Sequence, residues 1–257
     1  MKPVLLLVDD NEDILKFLAL ELSEKYTVIK SFNGQEALEA LKANAIHLVI
    51  CDIRMPVIDG LEFCKIIKTT IDYCHIPVIL LTAKNDFQSK IEGFEHGADA
   101  YIEKPFSPEF LQVQIANLRS NRSKIREHFA NSPLVHIKSM AYTKADELFL
   151  DKLNECIYEH FAEKDFDVEK LANTMNMSRP TLYRKIKAIS NLSPNELINI
   201  AKLKRAAELL IEGKYRIYEI ANMLGYSSQA NLTRSFLSQF GLTPTEYVNS
   251  KQIEKND

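Results

Sequence analysis

At 257 residues, 46% of them apolar and 26% charged, the chain is long enough for two domains and ordinary in composition for a globular protein. The net charge of −3 conceals a split: residues 1–125 hold 14 Lys/Arg against 18 Asp/Glu, while residues 166–250 hold 11 against 7. An acidic first half and a basic second half suit a metal or phosphate site followed by a polyanion-binding module. No run approaches the roughly 20 apolar residues of a membrane span. Met1-Lys2 lead only into the short apolar run Val4–Val8, which is no signal peptide. Cys51, Cys64, Cys74 and Cys156 form no CxxC pair, so the sequence predicts a soluble, cytoplasmic protein with buried, reduced thiols.

The first half alternates in period. Short β-rich runs at Val4–Val8, Thr27–Ser31, Leu48–Cys51, Val78–Leu81 and Ala100–Ile102 are separated by segments of helical spacing. Ile14, Leu15, Leu18 and Leu22 mark one helix, Ala37, Leu38 and Leu41 a second, and Phe110, Leu111 and Leu118 the last. Ser107-Pro108-Glu109 has the form of an N-cap, a first-turn proline and an acid at the positive helix end. Five such units predict an α/β domain over residues 1–121, a doubly wound five-stranded parallel sheet with helices on both faces. Residues 122–145, with Asn131-Ser132-Pro133 in their middle, are expected to form a linker. From Leu150, Leu153, Ile157 and Phe161 onward no strand pattern appears. Residues 146–250 are therefore expected to be all-α, followed by a polar, frayed tail at 251–257.

An internal repeat organises that second half. LANTMNM at 171–177 matches IANMLGY at 220–226, pairing Ala172 with Ala221 and Asn173 with Asn222. After one inserted residue the match continues through Ser178/Ser228, Leu182/Leu232, Arg184/Arg234, Leu192/Leu242, Pro194/Pro244 and Glu196/Glu246. Two copies of one helical unit are the economical explanation. Between them an amphipathic helix is expected over Pro194–Glu212, with a capping box from Ser193 and Glu196 and a stop at Gly213.

The candidate chemistry lies at the strand ends of the first half. Asp9 and Asp10 end the first strand, Asp52 the third and Thr82 the fourth, and Lys104-Pro105 follows the fifth. In a parallel sheet these ends lie side by side, so three carboxylates converge and repel unless a cation binds; Mg²⁺ suits such oxygen ligands. The set fits phosphoryl transfer, with Asp52 attacking phosphorus, Lys104 neutralising developing charge and the Thr82 hydroxyl bonding a phosphoryl oxygen. A single Asp at a strand end is more often a helix N-cap; it is the joint arrangement that points to chemistry.

LLLVDDN, ICDIRMPVIDG, LLTAK and YIEKPF resemble a response-regulator receiver domain across residues 1–121. The resemblance implies a flavodoxin-like fold and a histidine kinase as phosphodonor. It implies a Mg²⁺ site of Asp10, Asp52 and the backbone carbonyl of Arg54, with Asp9 completing the acidic pocket. It also implies a switch in which Thr82 moves toward the phosphate and Tyr101 turns inward, altering the fifth strand and the helices on either side of it.

Each repeat in the second half reads as helix, turn, helix, the arrangement whose second helix enters the major groove of double-stranded DNA. In the first copy Leu182, Ile186 and Ile189 form a buried stripe, leaving Arg179, Thr181, Tyr183, Arg184 and Lys187 elsewhere on the helix. In the second, Leu232 and Phe236 are buried and Gln229, Asn231 and Arg234 are available. Arg, Asn and Gln suit base edges, while Lys185 and Lys187 suit phosphates. LANTMNMSRPTLYRKIK, ELINIAKLKRAAELL and IANMLGYSSQANLTRSFLSQFGLTPTEYV resemble the DNA-binding domain of AraC-type transcription regulators. Pro180 and Val248 depart mildly from the pattern of that family. The resemblance implies two recognition helices docked about one helical turn apart, and RNA polymerase as a further partner.

Together these expectations describe a non-enzymatic transcription regulator that dimerises and binds DNA when Asp52 is phosphorylated. The same sequence fits the end of a hybrid sensor kinase chain. A Mg²⁺-dependent aspartyl phosphohydrolase is the rival of another class, but it would want a cap or substrate pocket where this chain has two DNA-reading units.

Overall fold

The computed structural model describes residues 2–83, 93, 95–163 and 166–253. It divides into two compact units. Met1–Arg122 with Tyr142–Asp146 form the first, and Ser123–Ala141 with Glu147–Asp257 form the second.

In the first unit five strands, β1 (Val4–Val8), β2 (Thr27–Ser31), β3 (Leu48–Asp52), β4 (Val78–Ala83) and β5 (Ala100–Lys104), make one sheet in the order β2-β1-β3-β4-β5. Every pairing is parallel. That order is the flavodoxin-like doubly wound one, whose ligand sites lie outside the carboxyl strand ends. Helices α1 (Glu12–Leu22), α2 (Gly34–Ala43) and α3 (Gly60–Thr69) follow the first three strands. Central strands buried on both faces read as unbroken apolar runs, as VLLLV and LVIC do. Leu6, Val8, Val49, Cys51 and Leu80 pack with Ala37, Leu41, Phe63 and Ile67 of α2 and α3. Leu5, Leu7, Ile50, Ile79 and Leu81 pack with α1 and with Leu111 and Ile115 of α4 (Pro108–Asn131) on the other face. The helix expected between β4 and β5 lies mostly outside the described residues.

At the edge where β4 and β5 begin, a second set of charges is buried. Lys68 Nζ donates to Asp99 Oδ2 at 2.6 Å and to the Ile76 carbonyl at 2.8 Å. Arg122 Nη2 meets Asp99 Oδ1 at 2.6 Å, its Nη1 donates to the His75 carbonyl, and Val78 N–H donates to Asp99 Oδ2 at 2.8 Å. Arg122 also lies over the ring of Tyr142, 4.0 Å from its centroid, and Tyr142 Oη donates to the Arg122 carbonyl at 3.2 Å. Cys74 Sγ donates to Asp146 Oδ1 at 3.1 Å, with Asp146 fully buried.

The segment expected as a linker, 122–145, is mostly regular. α4 runs on to Asn131, a 3₁₀ turn spans Ile137–Met140, and α5 (Lys144–Glu159) has already begun. Phe129, Ile137 and Met140 are buried in the core of the second unit. No Pro or Gly interrupts residues 109–131, so nothing local ends the helix at residue 121.

The second unit is all helix among its described residues: α5, α6 (Val168–Thr174), α7 (Arg179–Ser190), α8 (Pro194–Glu212), α9 (Ile217–Met223), α10 (Gln229–Phe240) and α11 (Pro244–Ile253). α11 takes in residues expected to fray. α8 was expected to be amphipathic, yet Leu197, Ile198, Ile200, Leu203, Ala206, Leu209 and Leu210 are all buried, so it is wrapped on most sides. Both halves of its capping box are made, Glu196 N–H to Ser193 Oγ and Ser193 N–H to Glu196 Oε2, and Gly213 closes it at φ +67°. Thr243 and Glu246 repeat the device before α11. All four cysteines are buried and none is in a disulfide. Among the described residues no helix is long and apolar enough to cross a membrane.

Candidate functional site

Strand topology assembles the acidic site. β1 and β5 flank β3 at one and two strands' distance, so the side chains at their carboxyl ends face one another across about 5–10 Å. Lys104 Nζ spans them, 2.8 Å from Asp9 Oδ2 and 2.9 Å from Asp52 Oδ1. Asp9 is buried and its Oδ1 accepts from Asn11 N–H at 2.9 Å, while Asp10 is exposed. One oxygen from each of Asp9, Asp10 and Asp52 lies within 4.8 Å of the others. Three carboxylates and one ammonium leave two negative charges, and an all-oxygen donor set open to solvent through Asp10 fits a hard divalent cation. Arg54 lines an open cleft of about 660 Å³ beside Asp10, with Met55, Pro56 and Asp59.

The electrostatics are those of a strained set. Burial lifts the Asp52 pKa above its ordinary value; Lys104 opposes this and the Asp9 charge adds to it. Burial alone would lower the Lys104 pKa, but its hydrogen bonds to Asp9 and Asp52 outweigh that and raise it, so it stays a cation. Thr82 is buried, and its hydroxyl has only a long hydrogen bond, 3.3 Å to the Ala83 carbonyl.

The loop after β3 closes tightly. Asp59 caps α3 through Glu62 N–H at 2.8 Å, and Gly60 N–H donates to the Ile53 carbonyl at 2.8 Å. A Cβ on Gly60 would fall 2.1 Å from the Asp52 carbonyl oxygen, so only glycine lets the helix start this close to the candidate nucleophile's backbone. Val57, exposed in the same loop, holds φ +71°, an outlying conformation for a β-branched residue. Nothing in the sequence signals it.

Tyr101 is half-buried, and a Cβ on Gly93 would collide with its hydroxyl. The ring therefore already points inward here. Lys84, part of the LLTAK match, lies outside the described residues.

In the second unit both recognition helices begin on a serine cap. Ser178 Oγ accepts from Thr181 N–H and Ser228 Oγ from Asn231 N–H. The Thr181 hydroxyl is also 2.8 Å from Ser178 Oγ, and Asn231 Nδ2 donates to Ser227 Oγ at 2.6 Å. These two expected DNA contacts are thus engaged in the turns. Arg179, Tyr183, Arg184 and Lys187 on α7, and Gln229 and Arg234 on α10, are exposed. Lys185 corrects the expectation: it is 2% exposed, with its ammonium 5.4 Å from the centre of the Phe149 ring, and cannot reach a phosphate. It stands three residues after Leu182, on the buried stripe itself.

A family model described as a response regulator receiver domain matches residues 5–116, and one described as a helix-turn-helix domain matches residues 171–250. Over 96% of its length the chain is 35% identical to Histidine kinase P4 of Formosa agariphila, of which it spans 18%. It is 42% identical to Probable transcriptional regulator ycf27 of Cyanidium caldarium over 44% of this chain and 45% of that one. A crystal structure of a putative response regulator from Chloroflexus aurantiacus is 36% identical over 47% of this chain and 99% of that one, with a TM-score of 0.45.

Proposed function

We propose, from a chain whose residues 5–116 belong to the response regulator receiver family and whose residues 171–250 are an AraC-type helix-turn-helix domain, that it is a DNA-binding transcription regulator switched by phosphorylation of Asp52. The observation that carries this reading is the Asp9–Lys104–Asp52 bridge at the carboxyl edge of the sheet. Asp10, Asp52 and the Arg54 carbonyl would hold Mg²⁺, with Asp9 behind them. Such an ion, when bound, neutralises charge on the transferring phosphoryl oxygens.

An Asp52 carboxylate oxygen attacks the phosphorus of a phosphohistidine. The N–P bond breaks as the O–P bond forms, and the imidazole leaves. Lys104 holds Asp52 Oδ1 at 2.9 Å and offsets the charge that gathers there. Thr82 exchanges its long bond to Ala83 for a phosphoryl oxygen, and Tyr101 is held inward in the same movement. The altered face of β5 and its flanking helices then pairs two copies of the chain. Pairing raises the effective concentration of the DNA-reading units without new base contacts. On this reading the chain turns over no other substrate.

Phosphorylation with acetyl phosphate and Mg²⁺ tests it, with Asp52→Asn beside the wild type and oligomeric state and DNA binding followed in the same samples. The expected result is label, dimer and salt-dependent DNA binding in the wild type only. A labelled chain that stays monomeric and binds DNA no better would break the coupling. The 35% identity over 96% of this chain, within 18% of Histidine kinase P4, favours a second reading, in which both units act within a longer sensor chain. The intact mass of the native protein separates the two.

A further inference from the structure

The chain that leads into the second unit touches both recognition helices, and at the same end of each. Arg126 Nε donates to the Ile189 carbonyl at 2.7 Å and its Nη2 to the Ala188 carbonyl, both in the last turn of α7. Gln239, in the last turn of α10, donates through Nε2 to the Ala130 carbonyl at 3.0 Å. Lys204 of α8 donates to the Ser132 carbonyl, with its ammonium 4.4 Å from the centre of the Phe129 ring. Ten residues, 123–132, thereby bind α7, α8 and α10 at once.

The chemistry suits a brace. The last carbonyls of a helix have no partner within it and carry the negative end of its dipole, so the Arg126 guanidinium is matched to the end of α7. Ala130 offers an orphan carbonyl of its own last turn to α10. In a helix-turn-helix the residues that meet base edges lie toward the start of the recognition helix. A tether at the far end therefore acts as a lever on their aim.

We propose that residues 123–132 are a positioning brace that fixes the angle and separation of the two recognition helices, with Arg126 and Gln239 as its contact residues. This rests on the DNA-reading assignment above. Both side chains are only partly buried, so their loss is expected to leave the fold in place.

The test is selection from a pool of random duplex DNA by the full-length chain, with Arg126→Met/Gln239→Met, each single variant and Arg126→Lys alongside. The wild type is expected to enrich a two-part motif at one spacing. The double variant should enrich the same two parts at several spacings and bind the wild-type motif about tenfold more weakly, the loss of one to two net hydrogen bonds. Arg126→Lys, which can still donate to a carbonyl, should keep the single spacing. A double variant with one spacing and unchanged affinity overturns the brace. If melting shows the double variant unfolded, Gln239→Met alone decides by the same criterion. A wild type that enriches no motif overturns the DNA-reading assignment and the brace with it.

Discussion

Two clusters of charge sit at opposite edges of the same sheet, built from the same residue types to opposite ends. At the amino edge Asp99 lies between Lys68 and Arg122 and accepts from Val78 N–H, and the cluster is saturated and closed. At the carboxyl edge one lysine serves Asp9 and Asp52, and Asp10 stands exposed beside them. The first arrangement has no use for a ligand. The second leaves three carboxylates on one lysine. How fully each carboxylate's oxygens are bonded, more than whether charges cluster, separates the closed node from the candidate site.

The sharpest way to break the comparison is to remove one lysine from each edge. Lys104→Met should slow labelling by acetyl phosphate about 10²–10³-fold, the usual loss for a charge that stabilises a transition state. Lys68→Met should leave labelling per folded molecule unchanged and instead lower the first unit's unfolding free energy by about 3–5 kcal/mol, read from urea denaturation. If Lys68→Met slows labelling as much as Lys104→Met does, the two edges are not functionally distinct.

Acid titration should separate the two carboxylates by sign. Lys68 and Arg122, with the bond from Val78, overcome burial and hold Asp99 below its ordinary pKa. Its contribution to stability is present above the unfolded value of about 3.9 and is lost as pH falls through the depressed native value. Asp52 has the opposite slope, because its native pKa is raised, chiefly by burial. Stability is lost as pH rises from about 3.9 through that raised value. Without Mg²⁺ at neutral pH, Asp52→Asn should therefore be the more stable protein by under about 1 kcal/mol, since solvent screens the group. Asp99→Asn should be the less stable. Thermal melts across pH 3–8 check both signs.

An effect of similar size concerns the loop that follows β3. Val57→Gly should relieve the left-handed strain and raise stability by about 1 kcal/mol, net of glycine's greater chain entropy. An unchanged melting midpoint would show that the loop holds no such strain.

What was legible in the sequence follows from how local each signal is. Central strands reveal themselves as apolar runs, and parallel order then gathers Asp9, Asp10, Asp52 and Lys104 by topology alone. The Asp99 node has no such signal, because its partners are 31 and 23 residues away and meet only through packing. The extension of α4 was hidden by Arg122, a charged residue on a stripe that otherwise reads Leu111, Ile115, Leu118 and Phe129. The ammonium of Lys185 misled for the same reason, since a buried cation looks like a surface one until its neighbours are known.

Asn176 and Gly225 both hold positive φ, +54° and +70°, and so do Asn191 and Gly241, +61° and +74°. Each pair occupies the same place in the two repeats. The repeat is thus recorded in backbone dihedrals even where the residues differ, asparagine in one copy and glycine in the other. The two glycines differ in what they would allow. A Cβ at Gly241 meets nothing within 4 Å, whereas one at Gly225 falls 2.9 Å from the Phe161 carbonyl oxygen. At the end of the recognition helix an asparagine meets only the strain of its left-handed backbone, but at the turn before it also meets a backbone oxygen. At that turn the second copy cannot take the first copy's asparagine, whereas the first could take the second's glycine.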